Sequence, residues 1–149
     1  MILSKSSQYA LRALIFIAEK DLTTQKKYTI KEISQHVSAP PAFIAKIINK
    51  LTASGFVASR KGPNGGLYSN KETYNCTVND VIELFDGKDF HTKCMLGLNQ
   101  CSDINPCPIH SDYKLISKKY SQLVKQTKIG YLALNLNKTE LGFRIGLSK

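Results

Sequence analysis

Residues 29–55 read TIKEISQHVSAPPAFIAKIINKLTASG, and this stretch decides the fold. Thr29 and Glu32 stand at capping-box spacing, so a helix is predicted to start there, with Ile30, Ile33 and Val37 facing one way. Ser38 to Pro41 breaks it, and proline suits the first turn of the helix that follows, where its missing N–H is not needed. From Pro41 to Ser54, Phe43, Ile44, Ile47, Ile48 and Leu51 form one apolar stripe, and Gly55 is a helix stop. Ala42, Ala45, Lys46, Asn49, Lys50 and Ala53 lie off that stripe. Two short helices with a four-residue joint, the second carrying a Lys/Asn/Ala face, have the form of a helix-turn-helix; any small helical hairpin is the plainer reading.

The flanks strengthen the first reading. Downstream, the β-prone runs Phe56–Arg60 and Leu67–Ser69 bracket Lys61-Gly62-Pro63-Asn64-Gly65-Gly66, in which Asn-Gly signals a hairpin. A basic hairpin tip directly after a recognition helix is a wing, with Arg60 and Lys61 placed to reach phosphates or the minor groove. Upstream, Ser4 to Glu19 reads as a helix apolar over more than half its circumference, hence buried against several neighbours. Thr77 caps a further helix with Val78, Val81, Ile82, Leu84 and Phe85 inward and Gly87 at its end.

Residues 88–109 show no periodicity and hold three of the four cysteines; a loop this long is usually functional. A long helix follows from about Ser111 to Ile129. Its Tyr113, Ile116, Tyr120, Leu123 and Thr127 are spaced 3-4-3-4, a seam that a lone helix cannot bury. This is read as a dimerisation helix, with packing on the chain's own first helix as the alternative. Gly130 is expected to stop it, with Tyr131 to Leu134 packing back on the body. The expected class is therefore mainly α with a small β-hairpin wing (α+β): a winged helix-turn-helix DNA-binding domain over residues 1–87 (wing about 56–70), a cluster-binding loop over 88–110, and a dimerisation helix with C-terminal tail over 111–149.

Composition agrees. The chain has 149 residues, 42% hydrophobic and 21% charged, which suits one folded domain with an appendage. Its longest apolar run, Ala13–Ala18, is too short to span a bilayer, and no secretory signal precedes it, so a cytoplasmic protein without a membrane is expected. The net charge of +10 is lopsided: residues 1–71 hold 11 Lys+Arg against three acids, net +8, and residues 72–149 hold 10 against eight, net +2. Basic excess in one half points to a polyanion partner, here double-stranded DNA. No Ser/His/Asp set, paired carboxylates or phosphate-binding loop is apparent, so an enzyme is not expected.

Cys94, Cys101, Cys107 and His110 are spaced C-x6-C-x5-C-x2-H. Three thiolates and an imidazole on one irregular loop can close around a metal centre, and Lys93 beside Cys94 would favour its thiolate. Cys3His is a zinc donor set, but the wide gaps suit an iron–sulfur cluster, whose ligands spread over more than one metal atom; free redox thiols are the third reading. Cys76 is expected to be a small buried hydrophobe. His91 is a reserve ligand or, more plainly, an exposed loop histidine, and His36 is placed on the polar side of its helix.

Together these parts resemble the Rrf-type family of bacterial winged-helix transcription factors, over nearly the whole chain to about Leu136. The likeness is carried by Ser7-Gln8-Tyr9-Ala10-Leu11-Arg12-Ala13, Ile30-Lys31-Glu32-Ile33-Ser34, the wing Lys61–Gly66, Thr77-Val78-Asn79-Asp80-Val81-Ile82-Glu83 and the three-cysteine loop. The resemblance implies a homodimer that binds palindromic promoter DNA, with Cys94, Cys101 and Cys107 as cluster ligands. His110 matches the histidine that completes a [2Fe–2S] site in some members; others use an aspartate on the first helix, where this chain has Gln8. That favours [2Fe–2S] over [4Fe–4S]. The first gap is one residue longer than the family's usual x5, Lys61 stands where arginine is usual, and Leu67 where tyrosine is. Ala42, Lys46, Asn49, Lys50, Arg60 and Lys61 are the DNA-contact candidates. Asn49 is the best base reader, because an amide pairs bidentately with adenine.

Overall fold

The structure, a computed structural model, describes residues 3–136. Its elements in chain order are α1 (Lys5–Thr24), α2 (Ile30–Val37), α3 (Pro41–Ala53), β1 (Ala58–Arg60), β2 (Gly66–Tyr68), α4 (Lys71–Asn75), α5 (Val78–Asp86), α6 (His110–Gln126) and α7 (Ile129–Asn135). The mainly α fold with a two-stranded wing is the expected one. No helix among the described residues is long and apolar enough to cross a membrane. The tail beyond Leu136, including the Asn-x-Thr match at Asn137, lies outside the described residues.

Helix α1 is the axle. Ala10, Ala13, Leu14, Phe16, Ile17 and Ala18 are all buried, because α2, α3, α5 and α7 pack around it. It runs five residues past the predicted end at Glu19. Thr23 and Thr24 return their hydroxyls to the Lys20 carbonyl (3.1 and 2.9 Å), and Gln25 turns left-handed at φ 52° to close it. Polar residues that satisfy the backbone in this way carry no apolar period, so the sequence pattern ended early.

The capping box at α2 forms in full: Glu32 N–H donates to Thr29 Oγ1 (3.2 Å) and Thr29 N–H to Glu32 Oε2 (2.8 Å). Lys26 and the Thr29 amide hold the Glu32 carboxyl down at about 2. Pro40 and Pro41 open α3, whose Ile44, Ile47, Ile48 and Leu51 enter the core beside Ile33 and Val37 of α2.

Strands β1 and β2 pair antiparallel with Ala58 opposite Tyr68 and Arg60 opposite Gly66. The hairpin is where Asn64-Gly65 predicted it, but the positive φ values fall on Gly62 and Gly66. Gly65 is needed for a close approach instead: a Cβ there would overlap the Arg60 carbonyl. Tyr28 adds a bridge to Leu67, fastening the wing to the α1–α2 connection.

Three features were not anticipated. The short helix α4 is held by a reciprocal Asn70–Thr73 cap (2.9 Å each way) rather than by an apolar stripe. The long helix ends at Gln126, not Ile129, because Thr127 and Lys128 leave it to bridge the start of α5: Val78 N–H donates to Thr127 O and Ile129 N–H to Cys76 O, both at 2.9 Å. Gly130 is no stop. It lies inside α7, where the helix crosses Tyr74 so closely that a Cβ would stand 2.8 Å from the Tyr74 carbonyl oxygen. Helix α7 packs back through Ile129, Leu132 and Ala133; of the expected segment Tyr131–Leu134 only the middle turns inward, while Tyr131 and Leu134 are exposed.

Candidate metal centre and nucleic-acid face

The irregular segment between Gly87 and His110 is anchored at both ends. At its start, His91 is buried rather than exposed, correcting the plainer expectation for it. Its Nε2 meets Asn79 Oδ1 on α5 at 2.9 Å, Ser117 of α6 donates to its carbonyl, and its ring lies 5.2 Å from that of Tyr120. Asn79 Nδ2 already donates to Glu83 Oε1, so Oδ1 accepts and His91 Nε2 carries the proton. His91 Nδ1 is then a buried acceptor without a partner. The residue is a wedge between α5 and α6 and is not one of the donors that group with the three sulfurs.

Further on, the loop folds Cys94, Cys101 and Cys107 together, with their sulfurs within 4.8 Å of one another. Cys94 Sγ lies 3.9 Å from Cys107 Sγ, and Cys101 Sγ lies 3.2 Å from His110 Nδ1. Helix α6 positions His110 as its first residue, and the Cys107 carbonyl accepts the His110 N–H at 3.0 Å. The four residues singled out by spacing alone therefore converge. Metal–sulfur bonds of about 2.3 Å in a tetrahedron put two thiolates on one ion roughly 3.8 Å apart, so the Cys94–Cys107 separation suits a shared metal atom.

The electrostatics differ between the sulfurs and favour thiolate at Cys94. Backbone N–H groups of Leu98 and Leu96 lower the Cys94 thiol. Cys101 is raised even though the Cys107 N–H points at its sulfur, because desolvation and the adjacent thiols oppose a second negative charge. On the outer side, His110 Nε2 lies 2.9 Å from Asp103 Oδ1, and Lys114 Nζ reaches both Asp103 oxygens at 2.7 and 2.6 Å. Those bonds, Lys114's first, hold the Asp103 carboxyl below the ordinary range. Sequence reasoning missed both residues, although Lys114 is one turn on from His110. A cleft of about 640 Å³ opens beside this centre, lined among others by His91, Cys94, Cys101, His110, Tyr113 and Lys114. Cys76 stands apart from it, buried as expected, with desolvation pushing its thiol up to about 12.

On the opposite side of α3's buried stripe, Ala42, Lys46 and Asn49 are exposed on one face, and Arg60 and Lys61 are exposed at the wing. Lys50 is exposed as well, but its ammonium has a partner. Its ammonium sits 4.9 Å from the centre of the Phe85 ring of α5, so it leans on the body rather than standing free. His36 remains at the surface of α2, stacked on Phe16 at 4.1 Å.

The seam predicted on α6 divides between two faces. Tyr113 lines the cleft, Tyr120 packs on His91, and Ser117 and Val124 on the same side of the helix are buried. Ile116 and Leu123 are exposed (59% and 62%), as is Leu115, which the heptad pattern did not include. Thr127 caps the helix, its hydroxyl donating to the Leu123 carbonyl at 2.7 Å.

The arrangement has known counterparts. A family model described as Rrf2, iron-dependent transcriptional regulator, matches residues 3–135. An HTH-type transcriptional regulator of Aquifex aeolicus (strain VF5) is 34% identical over 131 residues, covering 87% of this chain and 89% of that protein. The HTH-type transcriptional regulator IscR of Vibrio parahaemolyticus is 25% identical over 150 residues, 99% of this chain and 88% of its own length. Among solved structures, the fold matches CymR, the global cysteine regulator of B. subtilis, with a TM-score of 0.73 at 19% identity, covering 90% of this chain and 97% of that one. It also matches T. potens IscR with a TM-score of 0.70 at 16% identity, covering 96% and 92%.

Proposed function

Because this chain belongs to the Rrf2 family of transcriptional regulators, we propose that it binds promoter DNA as a homodimer and that an iron–sulfur cluster, held by Cys94, Cys101, Cys107 and His110, adjusts that binding. The family's proteins regulate transcription and are not enzymes. In this reading residues 1–87 carry the DNA-binding domain, 88–110 the cluster loop, and 111–149 the dimerisation helix and tail.

The observation that carries the proposal is the convergence of three loop thiols with His110 Nδ1. The donors fall into two pairs, Cys94 with Cys107 and Cys101 with His110. Two donors per metal atom is what a [2Fe–2S] centre requires, and three soft thiolates with one borderline imidazole suit its iron. When bound, the cluster supplies a redox-active and chemically labile group that can report oxidants, nitric oxide or iron supply.

The chain's own residues supply the rest. Asn49, with Ala42 and Lys46 beside it, is the base reader in the major groove, and Arg60 and Lys61 extend the grip along the backbone. Two copies joined through α6 would present two such helices about one DNA turn apart. The loop meets α5 of the DNA-binding half through His91 on Asn79, and α5 in turn meets α3 through Phe85 under Lys50. A cluster changes DNA affinity only if these contacts differ between its loaded and empty states.

The test is anaerobic purification with iron and acid-labile sulfide determined per chain, beside Cys101→Ala. The expected result is a coloured protein with about equal iron and sulfide, lost in the variant. A colourless protein holding one zinc and no sulfide after reconstitution would overturn the cluster reading, leaving a zinc-stabilised regulator of the same fold.

A further inference from the structure

His110 has two ring nitrogens, and the structure commits both. Nδ1 faces Cys101 Sγ at 3.2 Å, and Nε2 faces Asp103 Oδ1 at 2.9 Å. A carboxylate bridged by an ammonium accepts and does not donate, and Lys114 Nζ bonds both Asp103 oxygens. The proton of the neutral ring therefore sits on Nε2, and Nδ1 keeps its lone pair toward the sulfurs. The other tautomer would point a proton at the metal site and set two acceptors against each other.

We propose that Asp103, bridged by Lys114, is the positioning residue of this centre: it fixes His110 in the tautomer that offers Nδ1 as a ligand and clamps the cysteine loop to the first turn of α6. The inference rests on the cluster reading above and extends it to a residue that holds no metal itself. Asp103 lies between two of the cysteines, whereas His110 and Lys114 belong to the helix, so one carboxylate joins loop to helix at the ligand itself. Outer carboxylates of this kind orient ligand histidines and make them more basic. A more basic imidazole stabilises the more positively charged, oxidised iron, so the clamp holds the reduction potential down.

Asp103 is exposed (68% of its side chain), so changing it does not open the core. Wild type, D103A, D103N, D103E and K114A would be reconstituted without air, then compared for iron and sulfide per chain, loss of iron to a chelator, reduction potential, and nitrogen hyperfine coupling in the reduced protein. D103A is expected to lose iron about 10–100-fold more readily than wild type. D103N keeps an acceptor for Nε2–H without the charge, so it should retain the imidazole coupling while its potential moves upward; D103E should return it toward wild type. K114A should fall between wild type and D103A in iron retention. A loaded wild type with D103A and D103N unchanged in chelator loss and potential would overturn the clamp alone. A wild type that takes up neither iron nor sulfide overturns the cluster reading and the clamp together.

Discussion

The His91 imidazole and the Asn79 side-chain amide are joined at 2.9 Å across the gap between the cysteine loop and α5, and both residues are buried. Burial first, then Lys125, hold the imidazole below its ordinary range, with Glu83 as a weaker opposing charge. The folded protein thus keeps His91 neutral where the unfolded chain would protonate it.

Stability is expected to fall as pH drops. A histidine depressed on folding contributes stability that is complete above the unfolded value of about 6.5 and is lost as pH falls through it toward the folded value. His36, also depressed by burial and by Lys20, acts with the same sign. Glu32 titrates far below this window. Urea midpoints at pH 7.5 and 5.5 should drop more for wild type than for His91→Gln, which retains the His36 share alone. Equal drops would show that His91 is not held neutral.

Gly130→Ala should destabilise. On helix propensity alone alanine gains up to about 1 kcal/mol over glycine. Here the added Cβ meets the Tyr74 carbonyl oxygen at 2.8 Å and the Tyr74 Cβ at 3.1 Å, so α7 must move off α4. Overpacking of this kind costs about 1–3 kcal/mol, and the net sign is read from the unfolding midpoint. A higher midpoint would mean the crossing of α7 over Tyr74 is looser than the structure has it.

The α3 face should separate base reading from charge. Asn49→Ala is expected to cost about 1–3 kcal/mol on the preferred operator and to relax its sequence preference, with little change in salt slope. Lys46→Ala should weaken all duplexes alike and lower the salt slope by about 1. Lys50→Ala should lower it less, because its ammonium is spent on Phe85. Titrations of duplex at several salt concentrations distinguish the three; identical behaviour of Lys46 and Lys50 would contradict the assignment of Lys50 to the body.

Leu123→Lys is expected to shift the protein toward monomer without unfolding it, since Leu123 is exposed in the single chain. Sedimentation and thermal unfolding together check this. An unchanged dimer would move the interface away from the Ile116–Leu123 side of α6.

Much of this was legible because the signals were local. Thr29 with Glu32, and Thr77 by itself, announced two helix starts through local side chains; both boxes form in full, the second completed by Asp80. The three cysteines and His110 come together for a related reason: all four lie within 17 residues of one short loop and the helix start that follows it. What failed depended on residues distant in sequence. Gly130 resembles a helix stop until Tyr74 is laid across it, and His91 resembles a loop histidine until Asn79 and Ser117 close over it. The α6 seam divides between two faces because a 3-4 period does not say which side meets the chain's own α5. Asp103 was silent since an acid in a polar loop is ordinary until His110 and Lys114 are placed beside it.

Cys76 has a practical consequence of its own. Its sulfur donates to the Thr73 carbonyl at 3.2 Å and its thiol is held at about 12, so at neutral pH it is barely nucleophilic. An alkylating reagent applied briefly to native protein should therefore count only the other three sulfurs, and intact mass would report vacancy at the centre directly. The fourth adduct, appearing only on denaturation, serves as a built-in gauge that the chain was folded when labelled.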